Sequence, residues 1–239
     1  MTSSLYEKIL ELQATDIKIL QLNHQHTNHK LRTQLANTTS DAETKKAEAA
    51  AAVSALEQND SAQRKLQHRV AELEAKQEAS KTKLYSGMVT AANELLALEE
   101  EVQGYQAKQD DLEDELLELM DQADNLRVIE RATRTQLNAA ESDVASTEAQ
   151  LAEALEGIST ELKHCATERD ERVSASDPKL LDQYEKLRPL YDGVTVATLA
   201  NGSCDGCHIQ LSAVALDQID RLEDSAIFTC EECGRMLVR

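Results

Sequence analysis

Tryptophan is absent from these 239 residues, phenylalanine occurs once and tyrosine five times, so a thick globular core would lack its usual aromatic filling. Proline occurs only twice, and neither Pro178 nor Pro189 interrupts the first 177 residues. No run of eighteen apolar residues is present, and Met1 to Leu10 lacks a basic start followed by an apolar stretch, which points to a soluble, cytoplasmic chain with no membrane partner. Basic residues are scarce relative to acidic ones. The net charge of -19 repels phosphate backbones and anionic lipid, so a protein is the default partner and nucleic acid is disfavoured.

What is present is Ala, Leu, Glu, Gln, Lys and Asp, the composition of long helices with a narrow buried seam. Leu5, Ile9, Leu12, Ile19 and Leu22, then Leu66, Val70 and Leu73, follow the alternating three and four spacing of a coiled coil. Between them the seam thins into Ala47, Ala49 to Ala52 and Val53, where less burial is available per residue. Tyr85-Ser86-Gly87 breaks the pattern, and glycine is the residue best able to reverse the chain after a helix. Thr90 is the candidate cap of the next helix, which places the turn at 85–90.

The second arm repeats more cleanly. Leu95, Leu98, Val102, Tyr105, Leu112, Leu116, Leu119 and Leu126 keep heptad spacing, and Leu137, Ala140, Val144, Leu151, Leu155, Ile158, Leu162 and Cys165 continue it. Two arms of about 80 residues, each roughly 120 Å long if fully helical, bury each other's stripes by packing antiparallel. Asp16 falls on this seam, where one polar residue sets register, and Cys165 reads as a buried, inert thiol.

Asp177-Pro178 is a cap followed by proline at the first helical position, implying a short helix to Leu190. Val194 to Leu199 then reads as a strand and Asn201-Gly202 as a turn. The expected architecture is mainly α, with an antiparallel two-helix coiled-coil hairpin over 1–175, a connecting helix over 176–192 and a small C-terminal zinc ribbon over 193–239.

The strongest chemical motif is Cys204-Asp205-Gly206-Cys207 with Cys230-Glu231-Glu232-Cys233-Gly234, the two pairs being separated by 22 residues. Two residues between paired cysteines let both thiolates of a knuckle face one ion, and four soft thiolates suit one tetrahedral Zn2+. With all four positions taken by sulfur, no open site remains for water or substrate, so the zinc is structural. Ser212 is a plausible cap for a helix to about Leu222, with Leu211 and Leu216 as a hydrophobic staple, and Ile227 to Thr229 and Met236 to Val238 supply short strands.

Other polar groups read as surface. His24, His26 and His29 have no acidic or cysteine neighbour to complete a site, and His208 beside Cys207 is not needed where four cysteines suffice. Glu99, Glu100, Glu101, Asp110, Asp111, Glu113, Asp114, Glu115 and Glu118 make a solvated face or a docking surface for a basic partner. No phosphate loop and no nucleophile beside a histidine base is visible, so the chain reads as a non-enzyme.

The combination of Leu84-Tyr85-Ser86-Gly87, Val89-Thr90, Glu94-Leu95 and Ala97-Leu98 with Ser203-Cys204-Asp205-Gly206-Cys207-His208, Thr229-Cys230 and Cys233-Gly234-Arg235 resembles the bacterial C4-type zinc ribbon, coiled-coil hairpin family. The resemblance implies a ribbon at the hairpin's open end and an adaptor role, some relatives being linked to sigma-54, to flagellar or type III secretion components or to RNA. From Gly193 onward, Arg221, Arg235 and Arg239 stand against seven carboxylates, a poor balance for an RNA-binding ribbon. The reading is therefore a protein-protein adaptor, monomeric or weakly dimeric, with a nucleic-acid-binding regulator as the alternative.

Overall fold

The computed structural model describes residues 3–221 and 228–238. Among these residues five helices and four strands follow in the order α1 (Ser3–Thr27), α2 (Lys30–Tyr85), α3 (Ala92–Ala175), α4 (Pro178–Leu187), β1 (Val196–Ala200), β2 (Ser203–Cys204), α5 (Ala213–Arg221), β3 (Phe228–Thr229) and β4 (Met236–Val238). A 3-10 turn, Arg188–Leu190, follows α4. The architecture is mainly α, a long helical hairpin and a small strand-bearing C-terminal region. The chain divides into two compact units, 34–148 and the remainder.

In the 34–148 unit α2 and α3 run antiparallel. Gln63 Nε2 donates to the Leu119 carbonyl at 3.2 Å, Gln77 Nε2 to Gln106 Oε1 at 2.8 Å and Ser80 Oγ to Glu101 Oε2 at 3.0 Å, so positions rise on one helix as they fall on the other. The heptad positions from Leu95 to Val144 are all buried or half-buried, which is what a two-helix seam can achieve. The connection occupies 86–91, with Gly87 at φ 71° and Ser86 Oγ donating to the Lys83 carbonyl at 2.8 Å. Ala91, rather than Thr90, flanks α3, its carbonyl accepting from Glu94 and Leu95 N–H at 3.1 Å each.

The first arm is two helices, not one. It breaks at Asn28-His29, where His29 Nδ1 accepts from Leu31 N–H at 3.3 Å and Asn28 bonds His24 Nδ1 at 3.2 Å. Two of the three clustered histidines thus serve the helix ends, a role that needs no metal.

In the other unit, α1 and the last third of α3 meet α4 and a four-stranded sheet ordered β2-β1-β4-β3, in which β1 and β4 are parallel and both outer pairs antiparallel. Alternation along the central strands divides their side chains between two cores. Val196, Met236 and Val238 join Ile9, Leu12, Leu180 and Tyr184, while Ala197 and Leu237 face Leu211, Ala215 and Ile219 with Cys204 and Cys230.

Polar side chains tie these layers together. Gln13 Nε2 donates to the Val196 carbonyl at 2.8 Å, and its Oε1 accepts from Thr195 and Val196 N–H at 2.7 and 2.6 Å. Fully buried Asp16 accepts from Arg169 Nε at 2.7 Å, Tyr184 Oη at 2.8 Å and Arg188 Nε at 3.3 Å, and Arg169 also bonds Glu185. Burial first, then the bond to Asp16, raises the Tyr184 phenol well above its ordinary range. Asp16 therefore joins α1, α3 and α4. Cys165 is likewise fully buried.

Candidate metal centre

The strand β1 and the turn after it bring up the first cysteine pair. Asn201 and Gly202 both have positive φ, 51° and 77°, which lets β1 fold back on β2 and seats Cys204 opposite Leu199. Its backbone is then held by Cys204 N–H to the Ile209 carbonyl at 3.0 Å and His208 N–H to the Cys204 carbonyl at 2.7 Å. The second pair repeats this, with Gly234 N–H donating to the Cys230 carbonyl and Cys230 N–H to the Arg235 carbonyl, both at 2.8 Å. Between the pairs, Ser212 Oγ accepts from Ala215 N–H at 3.1 Å and starts α5, whose Ala215 and Ile219 cover the inner cysteines. The expected helix end at Leu222 and strand start at Ile227 lie outside the described residues.

The four sulfurs converge, with all ligand atoms lying within 4.8 Å of one another. Cys204 and Cys233 Sγ are 3.8 Å apart and Cys207 and Cys230 Sγ 3.9 Å, while all four are free thiols. A tetrahedral site with metal–sulfur bonds of about 2.3 Å has edges of about 3.8 Å, so the residues fit a four-thiolate metal ion. Cys204 and Cys230 are buried, Cys207 and Cys233 half-buried.

The thiols are not equivalent. Burial pushes Cys204 up to about 12, against hydrogen bonds from the Cys207 and Gly206 backbone. Cys230 is also raised, by burial, against bonds from Cys233 and Glu232. Burial acts upward on Cys233 too, but the Arg235 backbone and side chain together with Cys230 and Cys207 outweigh it and bring Cys233 down to about 7. His208, exposed and with φ 59°, is not among the clustered ligands.

The remaining candidates lie elsewhere. Arg221 is paired with Asp217 at 2.8 Å, Arg235 lies over the Tyr191 ring at 4.9 Å, and Arg239 is outside the described residues. The acidic residues from Glu99 to Glu118 are largely exposed along α3, and the Ala-rich stretch borders a groove of about 410 Å³ lined by Ala49, Ala50, Val53 and Leu137. No helix among the described residues is long and apolar enough to cross a membrane.

A long helical hairpin joined to a small strand region with four clustered cysteines defines the class to which this fold belongs. Residues 12–191 match the CT398-like coiled coil hairpin domain, and the chain belongs to that family. An uncharacterized protein of Mycobacterium tuberculosis is 26% identical over 231 residues, which are 97% of this chain and 94% of that one. Among solved structures, one from Mycobacterium smegmatis has a TM-score of 0.84 at 22% identity, covering 99% of this chain and 97% of the other. CT398 from Chlamydia trachomatis has a TM-score of 0.61, also at 22% identity, with 99% and 98% covered. These likenesses bear on the fold.

Proposed function

We propose that the chain is a non-enzymatic adaptor whose C-terminal module is folded around one structural Zn2+ held by Cys204, Cys207, Cys230 and Cys233. Four thiolates complete a tetrahedron and leave no position for substrate, which suits a structural ion. A reducing cytoplasm is the setting in which four free thiols stay available for it.

The observation that carries the adaptor reading is the hairpin turn. Tyr85 and Met88 are 81% and 84% exposed there, large side chains that add nothing to the α2–α3 seam. Exposed aromatic and methionine side chains are favoured anchors for a protein partner. Glu94 and Glu99 to Glu101, all exposed on α3 just beyond, favour a basic one. The nucleic-acid reading draws less support, because Arg221 is paired with a carboxylate and Arg235 is engaged within the fold.

The test is affinity co-purification of the tagged protein from its native extract, with and without nuclease, beside a Tyr85→Ser, Met88→Ser variant. A nuclease-resistant protein lost with the variant supports the adaptor, and sigma-54 and secretion components are the partner classes that the resemblance puts forward. Nuclease-sensitive recovery of RNA or DNA, unaffected by the variant, would replace the adaptor with the regulator.

A further inference from the structure

The arginine after the last cysteine pair does more than continue the strand. Arg235 Nε donates to the Val194 carbonyl at 2.7 Å, and its guanidinium lies 4.9 Å from the centroid of the Tyr191 ring. Its backbone and side chain act together with Cys230 and Cys207 to hold the Cys233 thiol below its ordinary range. The arginine stem also crosses the first cysteine pair, since a Cβ on Gly206 would stand 2.7 Å from Arg235 Cδ. Gly234 makes room on the other side, where a Cβ would collide with Tyr191 Oη. One side chain thus contacts both knuckles, and each knuckle has a glycine where Arg235 or its stacking partner passes.

Charge gives this placement a purpose. Four thiolates around a divalent ion leave about two negative charges uncompensated, and Asp205, Glu231 and Glu232 stand within the same two motifs. Lysine is absent from residues 193–239, and Arg221 is paired with Asp217. Among the described residues of this segment, Arg235 is the cation that remains for the sulfurs. Its planar fork donates in several fixed directions at once, which a lysine ammonium on a flexible stem does not reproduce.

We propose that Arg235 is the positioning residue of the metal centre: it spans the two cysteine knuckles and offsets the negative charge of the loaded site, with Tyr191 holding the guanidinium in place. The inference rests on the zinc reading above. Groups in the shell around metal ligands tune affinity by about 10–100-fold when removed.

The experiment compares the full chain with Arg235→Gln, Arg235→Lys and Tyr191→Leu, measuring Zn2+ affinity by competition with a chromophoric chelator and the sulfur-to-metal charge-transfer bands of the Co2+ form. Arg235→Gln is expected to weaken Zn2+ binding by about 10–100-fold and to shift the Co2+ bands, Arg235→Lys to recover part of the affinity, and Tyr191→Leu to lose less than Arg235→Gln. Circular dichroism of the metal-saturated variants checks that each retains the helical signal. Tight binding and unchanged bands in Arg235→Gln would overturn the proposal, as would an Arg235→Lys variant no better than Arg235→Gln. If the unaltered chain binds neither metal, the zinc reading fails first and this inference with it.

Discussion

The two compact units solve the burial problem differently. In the 34–148 unit, two helices cover only one stripe of each other, and the buried positions are small or amide-bearing: Ala52, Asn59, Gln77 and Ala123 beside Leu112. In the unit holding both termini, helices and a sheet surround the same kind of amphipathic helix, so Ile9, Leu12, Asp16 and Tyr184 are fully buried. A helix pair can hide a side chain from only one direction, whereas a mixed layer can hide it from several. The consequence is that a charge becomes tolerable inside the second unit only because Arg169, Arg188 and Tyr184 converge on it.

That contrast can be broken most severely at the four clustered cysteines. Chelation, or Cys204→Ser, is expected to unfold α5 and β1 to β4 while leaving α2 and α3 helical, because structural zinc supplies on the order of 10 kcal/mol to small modules of this kind. Exchange of backbone amides should rise across β1 to β4 and stay protected along 34–148. Affinity should also fall as pH falls, since the raised Cys204 and Cys230 must release protons on binding. The slope should steepen below about 7, where Cys233 begins to hold a proton as well. A pH-independent affinity between 6 and 8 would contradict that ligand set.

Asp16→Ala ranks next. It strands two arginines and a phenol, and since Arg169 and Arg188 keep partial contact with water, a loss of about 3 kcal/mol is expected in urea unfolding. In the seam, Leu112→Ala should cost about 2–3 kcal/mol. Gln77→Ala should cost only about 1 kcal/mol, because its partner Gln106 can turn to water. If Gln77→Ala proved as damaging as Asp16→Ala, the distinction between the units would fail.

The helical periodicity of α3 was readable residue by residue, since leucine at heptad spacing has one simple physical meaning, and each named position from Leu95 to Cys165 is buried or half-buried. The cysteine spacing was equally plain, and the four sulfurs do converge. The middle of α2 was not: its seam passes through Asn59, Gln63, Gln77 and Ser80, whose burial depends on partners far along the chain. The break at Asn28-His29 carries neither glycine nor proline, and only the histidine cluster marked the spot. Asp16 was legible as a polar seam residue, but its arginine and tyrosine partners come from more than 150 residues away. Arg235 was counted as one charge among others; its approach to Gly206 in the first knuckle follows from folding, though its place beside the last knuckle was a local signal.

Gln13 has a further consequence. Where β1 begins, β2 has not yet reached its flank, pairing only with Leu199 and Ala200. The Gln13 amide fills that place, giving one donor to the Val196 carbonyl and accepting from Thr195 and Val196 N–H as a neighbouring strand would. A helix side chain thereby blunts a sheet edge that could otherwise recruit an extended segment from another molecule. The same glutamine that fastens the sheet to α1 leaves no open backbone groups at the start of β1 for another strand to pair with.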